Sequence, residues 1–191
     1  MSMTRTLTTA AIALALAALP TVGGTQSFQA GQPIMWGADR VEYAGTVATL
    51  IGRAEFVQGD SRLRADRISG VDQSGSNRIE ATGDVYLVTP EQTIRADRVE
   101  GTINNGDLTR VEASGDVYFV TPEQTIRGDR AVYTPANDTI VLTGDVILTQ
   151  GENVMTGGRL TYNTRTEAAE MDGGGQNGRV QGVFYPESSG T

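Results

Sequence analysis

The chain has 191 residues, 38% of them hydrophobic, and its charge is one-sided: 15 arginines with no lysine or histidine, 23 acidic residues and a net charge of −8. An acidic chain without a basic stripe excludes a nucleic-acid partner, because phosphate contacts need clustered cations. The absence of cysteine and histidine removes thiol nucleophiles and imidazole bases, and it leaves hard, oxygen-ligated cations as the only metal chemistry open.

At the start of the chain, Arg5 precedes an apolar stretch from Leu7 to Leu19 that Pro20 and Gly23-Gly24 break. This is the organisation of a secretory signal peptide, too short and too rich in alanine for a spanning helix. Residues 1–24 are therefore expected to be a leader, with Ala15-Leu16-Ala17 as one cleavage box, and residues 25–33 a flexible lead-in. Residues 34–186 are expected to form the folded domain, and residues 187–191 a polar tail. Ile34, Trp36 and Ala38 alternate as the first strand. Trp36, the single tryptophan, either plugs the open end of an apolar interior or contacts a ligand there.

The centre of the chain writes one sentence twice, GDVYLVTPEQTIRADR at residues 83–98 and GDVYFVTPEQTIRGDR at 115–130, and looser copies flank the pair. Their closing tripeptide recurs as Ala38-Asp39-Arg40, Ala65-Asp66-Arg67, Ala96-Asp97-Arg98, Gly128-Asp129-Arg130 and, degraded, Gly157-Gly158-Arg159. A period near thirty residues indicates stacked units, none of which can bury its apolar face alone.

Each unit has two strand-like halves. Ile79, Ala81, Gly83, Val85 and Leu87 share one face at period two. The series recurs from Ala48 to Phe56, from Val111 to Phe119 and from Ile140 to Leu148. The shorter half reads Leu63 and Ala65, Ile94 and Ala96, Ile126 and Gly128, Val154 and Thr156. After each Asp-Arg pair the alternation slips by one, which predicts a bulge there, and the mid-strand glycine predicts a bend, a bulge or a close approach. Turn-forming residues punctuate the strands at Thr89-Pro90-Glu91-Gln92, Thr121-Pro122-Glu123-Gln124, Asp72 to Asn77, Asn104 to Asp107 and Pro135 to Asp138. With no helical periodicity after residue 20, the fold class is all-β.

Candidate chemistry is sparse. Paired carboxylates such as Glu80 and Asp84 recur with the repeat, so they read as a solvated face and not as one catalytic pair. No enzyme activity and no cofactor are expected, and any cation near Asp97 or Asp129 would be incidental. Arg98 and Arg130 either pair with Asp97, Asp129 or Glu100 on the surface or meet the phosphates of an anionic ligand. The inward face can hold something apolar. Its recurrent Ala and Gly leave either room for acyl chains or a fully packed core. Neither terminal strand region, 34–43 or 153–163, carries the Pro or Lys that blunts an open sheet edge.

In its ordered series of units the chain resembles the OstA-like family of periplasmic lipopolysaccharide transport proteins. The likeness rests on QPI at 32–34, GRAEFVQGDSRLRADRI at 52–68, the two GDVY copies, LTGDVILTQGENVMTGGRLTY at 142–162 and GRVQGVFYP at 178–186. It implies a V-shaped β-jellyroll of stacked antiparallel strand repeats in the periplasm, with lipid A acyl chains carried in its groove. It also implies head-to-tail joining of copies and contact with OstA-like domains of inner-membrane and outer-membrane components. Carried over by position, the lipid-binding residues would be Leu50, Ala54, Phe56, Ile79, Val85 and Leu87, followed by Ile94, Val117, Phe119, Ile126, Val146 and Leu148. The absence of Lys and His departs from the family's pattern. Two other readings are a structural or assembly β-repeat protein with a closed core, and a membrane-anchored relative sharing the fold.

Overall fold

The computed structural model describes residues 33, 35–45, 47–72, 78–90, 92–104, 107–163, 165–166, 168–174 and 178–185. The expected leader, most of the lead-in, Ile34, the turn residues 73–77 and 105–106, and the tail lie outside them. The described chain is a run of antiparallel strands, and that run is the expected all-β class. They are β1 (Met35–Gly37), β2 (Arg40–Ala44), β3 (Val47–Gln58), β4 (Ser61–Asp72), β5 (Arg78–Val88) and β6 (Thr93–Asn104). They continue as β7 (Asp107–Val120), β8 (Thr125–Thr134), β9 (Thr139–Gln150), β10 (Asn153–Asn163), β11 (Ala169–Asp172) and β12 (Gln181–Val183). From β3 to β10 each strand pairs with its sequence neighbours, so one unit of the repeat is one hairpin. A single 3₁₀ turn, Pro135–Asn137, joins β8 to β9.

The extra residue of each bulge sits opposite the place where the alternation slips. Between Thr82 and Val85 strand β5 has two residues, Gly83 and Asp84, where β6 has only Asp97. Both take left-handed backbone, with φ of 78° and 44°, and Gly52-Arg53, Gly115-Asp116 and Gly144-Asp145 repeat the pair. The burial pattern does slip at Asp-Arg as predicted, from Ala65 to Ile68 and from Ala96 to Val99. The bulge itself belongs to Gly-Asp, because these are the two residues that face a single residue of the neighbouring strand.

These bulges also explain why the two ends of the repeated motif are kept. The Asp97 carboxylate lies over Gly115, so a Cβ there would come 2.2 Å from Asp97 Oδ2, and the same packing joins Asp39 to Gly52, Asp66 to Gly83 and Asp129 to Gly144. The last aspartate of one unit thus rests on the first glycine of the next. The degraded tripeptide follows the same logic. At Gly158 an added Cβ would strike Gly174, whose segment crosses here between β11 and β12.

The bulges fall in line across the sheet and divide every long strand into two halves. Ala54, Ala81, Ile68 and Val146 are fully buried on one face of this single sheet. A sheet one strand thick buries a face only when another layer covers it, and the cover here is the other half of the same sheet. The result is an open jellyroll-like stack, unclosed at both ends, because β1 and β11 stand at opposite ends of the strand order.

Two expectations are corrected. Strand β10 is no free edge. Strand β11 pairs with its Arg159–Tyr162 half and β12 with its Val154–Thr156 half, and β1 and β2 share the far side of β3 in the same broken way. In β10 the register pairs inward Leu148 with Met155 and Val146 with Gly157, so Met155 and Gly157 face in and Val154 and Thr156 face out. Aligning Gly157-Gly158-Arg159 with the other tripeptides gives that register directly. Trp36 stands opposite Phe56 on the inner face at the end of the stack. It is 55% exposed there.

Candidate functional site

The inward side chains form two packed clusters. One runs from Leu50 to Val117 over β3 to β7. The other gathers Phe119, Ile126, Leu142, Val146 and Leu160. Ile94 and Ala131 touch both. Between the clusters lies an apolar cleft, a cavity of about 80 Å³ within some 870 Å³ of unfilled space that includes the open mouth. That cavity is several times the roughly 10–15 Å³ one water needs.

Six of the residues expected to bind lipid line this cleft, namely Val85, Leu87, Ile94, Val117, Phe119 and Ile126. Leu50, Ala54, Phe56 and Ile79 are packed in the first cluster instead, Val146 lies in the second and Leu148 packs against it. Also lining the cleft are Val99, Val111, Ala113, Ala131, Tyr133 and Ile140, none of which the resemblance named as lipid-binding. Val111, Ala113 and Ile140 belong to the inward series already read, and Val99, Ala131 and Tyr133 follow the slip after Asp97-Arg98 and Asp129-Arg130. No charged side chain lines the cleft, and its polar groups are those of Gln124, Tyr133 and Tyr162. Burial, helped by nearby Asp138, pushes the Tyr133 phenol above its ordinary value, so this wall stays neutral.

Burial is uneven along the stack. The inward positions of β3 and β5 are almost all buried, whereas β10 buries only Leu160. The N-terminal units are therefore filled, and the interior loosens toward β10 because β11 and β12 together give it only seven residues of cover.

The arginines lie on the outer face. Glu80, Glu100 and Glu112 stand directly opposite one another on β5, β6 and β7, a row of like charges that is unfavourable alone. Arginines interleave it. Arg98 reaches Glu80 at 3.1 Å and Glu100 at 3.4 Å, and Arg130 and Arg110 reach Glu112 at 2.8 and 3.2 Å. Arg98 and Arg130 are thus surface ion-pair partners, but chiefly with glutamates of neighbouring strands. Asp84 pairs with Arg95, and Asp116 with Arg127, whose guanidinium also lies 5.3 Å from the Tyr118 ring centre.

The hydrogen bond from Arg130 holds the Glu112 carboxyl below the ordinary glutamate range, against an opposing effect of burial. A depressed folded-state pKa stabilises above the unfolded pKa, and the contribution is lost as pH falls through the folded value. Glu112→Gln is therefore expected to cost under about 1 kcal/mol at neutral pH, a deficit that disappears in acid. Urea denaturation of both proteins across a pH series reads it, and a gap that widens in acid would contradict the assignment.

Among the described residues, no group of three or more His, Cys, Asp or Glu is placed to hold a metal ion, and no helix is long and apolar enough to cross a membrane. The profile of the family described as "LptA/(LptD N-terminal domain) LPS transport protein" matches residues 71–168. Among solved structures, the crystal structure of LptH from Pseudomonas aeruginosa, titled the LptA homologous periplasmic component of the conserved lipopolysaccharide transport device, aligns at 17% identity and a TM-score of 0.36. That alignment covers 81% of this chain and 96% of the other, at a likeness too low to bear on the function. No curated protein sequence matches. The matched segment is more than half the chain and contains both near-identical repeats, so this protein belongs to the LptA/LptD N-terminal domain family of lipopolysaccharide transport proteins.

Proposed function

We propose that this protein is the LptA-type member of its family, a periplasmic carrier that holds lipopolysaccharide by its acyl chains and forms part of a bridge from the inner to the outer membrane. The observation that carries the reading is the uncharged cleft between the two core clusters. Each methylene moved from water into such a space gains roughly 0.8 kcal/mol. The leader at residues 1–24 would deliver the chain to the periplasm. Nothing in the cleft drives movement, so the energy for transport comes from partners.

The ends of the stack support assembly. Met35 and Trp36 on β1 are 64% and 55% exposed, and Val183 and Phe184 at the far end are 55% and 66% exposed. Short terminal strands with greasy, uncovered side chains are templates for strand addition. The partners would be a second copy joined head to tail, or the OstA-like domains of the membrane components.

A photo-crosslinking residue placed at Phe119 or Leu87 is expected to capture lipopolysaccharide in cells, and one at outward Tyr86 is not. Capture from Tyr86 alone would overturn the reading and favour a structural β-repeat with a sealed core.

A further inference from the structure

The outer face breaks the rule of the repeat at one place. In the two near-identical units an arginine reaches back to the bulge aspartate: Arg95 Nη2 donates to Asp84 at 3.1 Å and Arg127 Nη2 donates to Asp116 at 2.7 Å, each eleven residues earlier in the chain. Counted the same way, the residue before Arg64 that should be an aspartate is Arg53, on the bulge of β3. A cation thus stands where the neighbouring units place the anion.

Nothing nearby takes the anion's place for Arg64. Glu55 stands opposite it on β3 but pairs with Arg62, at 3.6 Å, and Arg64 has no ion-pair or hydrogen-bond partner among the described residues. Arg53 Nε donates to Asp39 at 2.9 Å and its Nη2 is bonded to the same carboxylate, which leaves Nη1 unbonded among the described residues. Arg53 and Arg64 line one open hollow of about 360 Å³ together with Arg95, Asp66, Asp84 and Tyr86. Tyr86 stands between Arg64 and Arg95 in the cross-strand register and is 41% exposed. With Arg64 it also borders a second hollow, toward the turn at Gly59-Asp60.

Like charges held side by side repel, and an anion between them reverses the sign of the interaction. Two guanidinium forks match the several oxygens and double charge of a phosphate, whereas one fork is enough for a carboxylate. We infer that Arg53 and Arg64 form a phosphate site on the outer face, and that Tyr86 beside them carries the sugar ring to which the phosphate is attached. The ligand class is a phosphorylated saccharide. An exposed phenol ring offers an apolar face to the C–H side of a pyranose, and the carboxylates of Asp66 and Asp84 accept hydrogen bonds from its hydroxyls. The site lies on the face of the sheet opposite the cleft, so it stands or falls independently of the acyl-chain reading.

The test is calorimetric titration of the protein, at low ionic strength, with glucose 1-phosphate, inorganic phosphate and glucose. The wild type is expected to bind glucose 1-phosphate about threefold or more tighter than inorganic phosphate, the worth of one aromatic contact, and to give no saturable heat with glucose. Arg64→Gln is expected to weaken both phosphates by about tenfold or more, the worth of a charge-assisted hydrogen bond, at an unchanged Tm because the side chain is exposed. Tyr86→Leu should bring glucose 1-phosphate down to the level of inorganic phosphate and leave the latter as it was. Arg127→Gln, whose arginine already has Asp116, should change neither. Equal binding of the two phosphates by the wild type overturns the sugar contact. No saturable binding of either phosphate, full binding by Arg64→Gln, or an equal loss in Arg127→Gln overturns the site.

Discussion

Replacing Gly115 with alanine is expected to destabilise the protein by about 3 kcal/mol, the sum of a left-handed backbone cost of roughly 1–2 and an overpacking cost of similar size. The residue sits at φ 78°, and its new Cβ would lie 2.2 Å from Asp97 Oδ2 and 2.6 Å from Asp97 Cβ. Rotating the carboxylate away does not clear the second contact, so β6 must shift against β7. For a domain of this size each kcal/mol moves the Tm by about 2–4 °C, which predicts a fall of about 6–12 °C by calorimetry. Adding Asp97→Ala removes the carboxylate but keeps the Asp97 Cβ contact, so it should recover only part of the packing cost and none of the backbone cost. An unchanged Tm for Gly115→Ala would show that the Asp-on-Gly contact does not join one repeat to the next.

The second large effect is on binding. Ala131 lines the cleft and touches both core clusters, so in Ala131→Phe the ring occupies space an acyl chain would use. Displacing three methylenes at about 0.8 kcal/mol each weakens acyl binding by about fiftyfold. The fold is expected to survive, because Ala131 borders unfilled space that the ring can enter. A near-wild-type Tm with at least a tenfold loss in lipid affinity is the expected pair of results. Undiminished lipid capture by a well-folded Ala131→Phe protein would mean that acyl chains do not use this cleft.

Much of this architecture was legible before any coordinates. Period-two alternation placed Ile79, Ala81, Val85 and Leu87 on one face, and the structure buries all four. The thirty-residue period corresponds to one hairpin, since neighbouring hairpins must cover one another. The position of the bulge was half legible. Asp-Arg showed where the alternation breaks, but only pairing across strands shows that Gly-Asp supplies the extra residue.

The sequence by itself determined the strands, the inward face and the repeat, because these depend on contacts within a hairpin and on a periodicity that each residue carries locally. The tertiary structure alone decided where that inward face is filled and where it stays open. Phe56 and Phe119 close the same inward series in different units, yet one is packed in the first cluster and the other borders the cleft. The difference depends on which side chains meet each of them across the interior, and those come from strands many residues away in the chain.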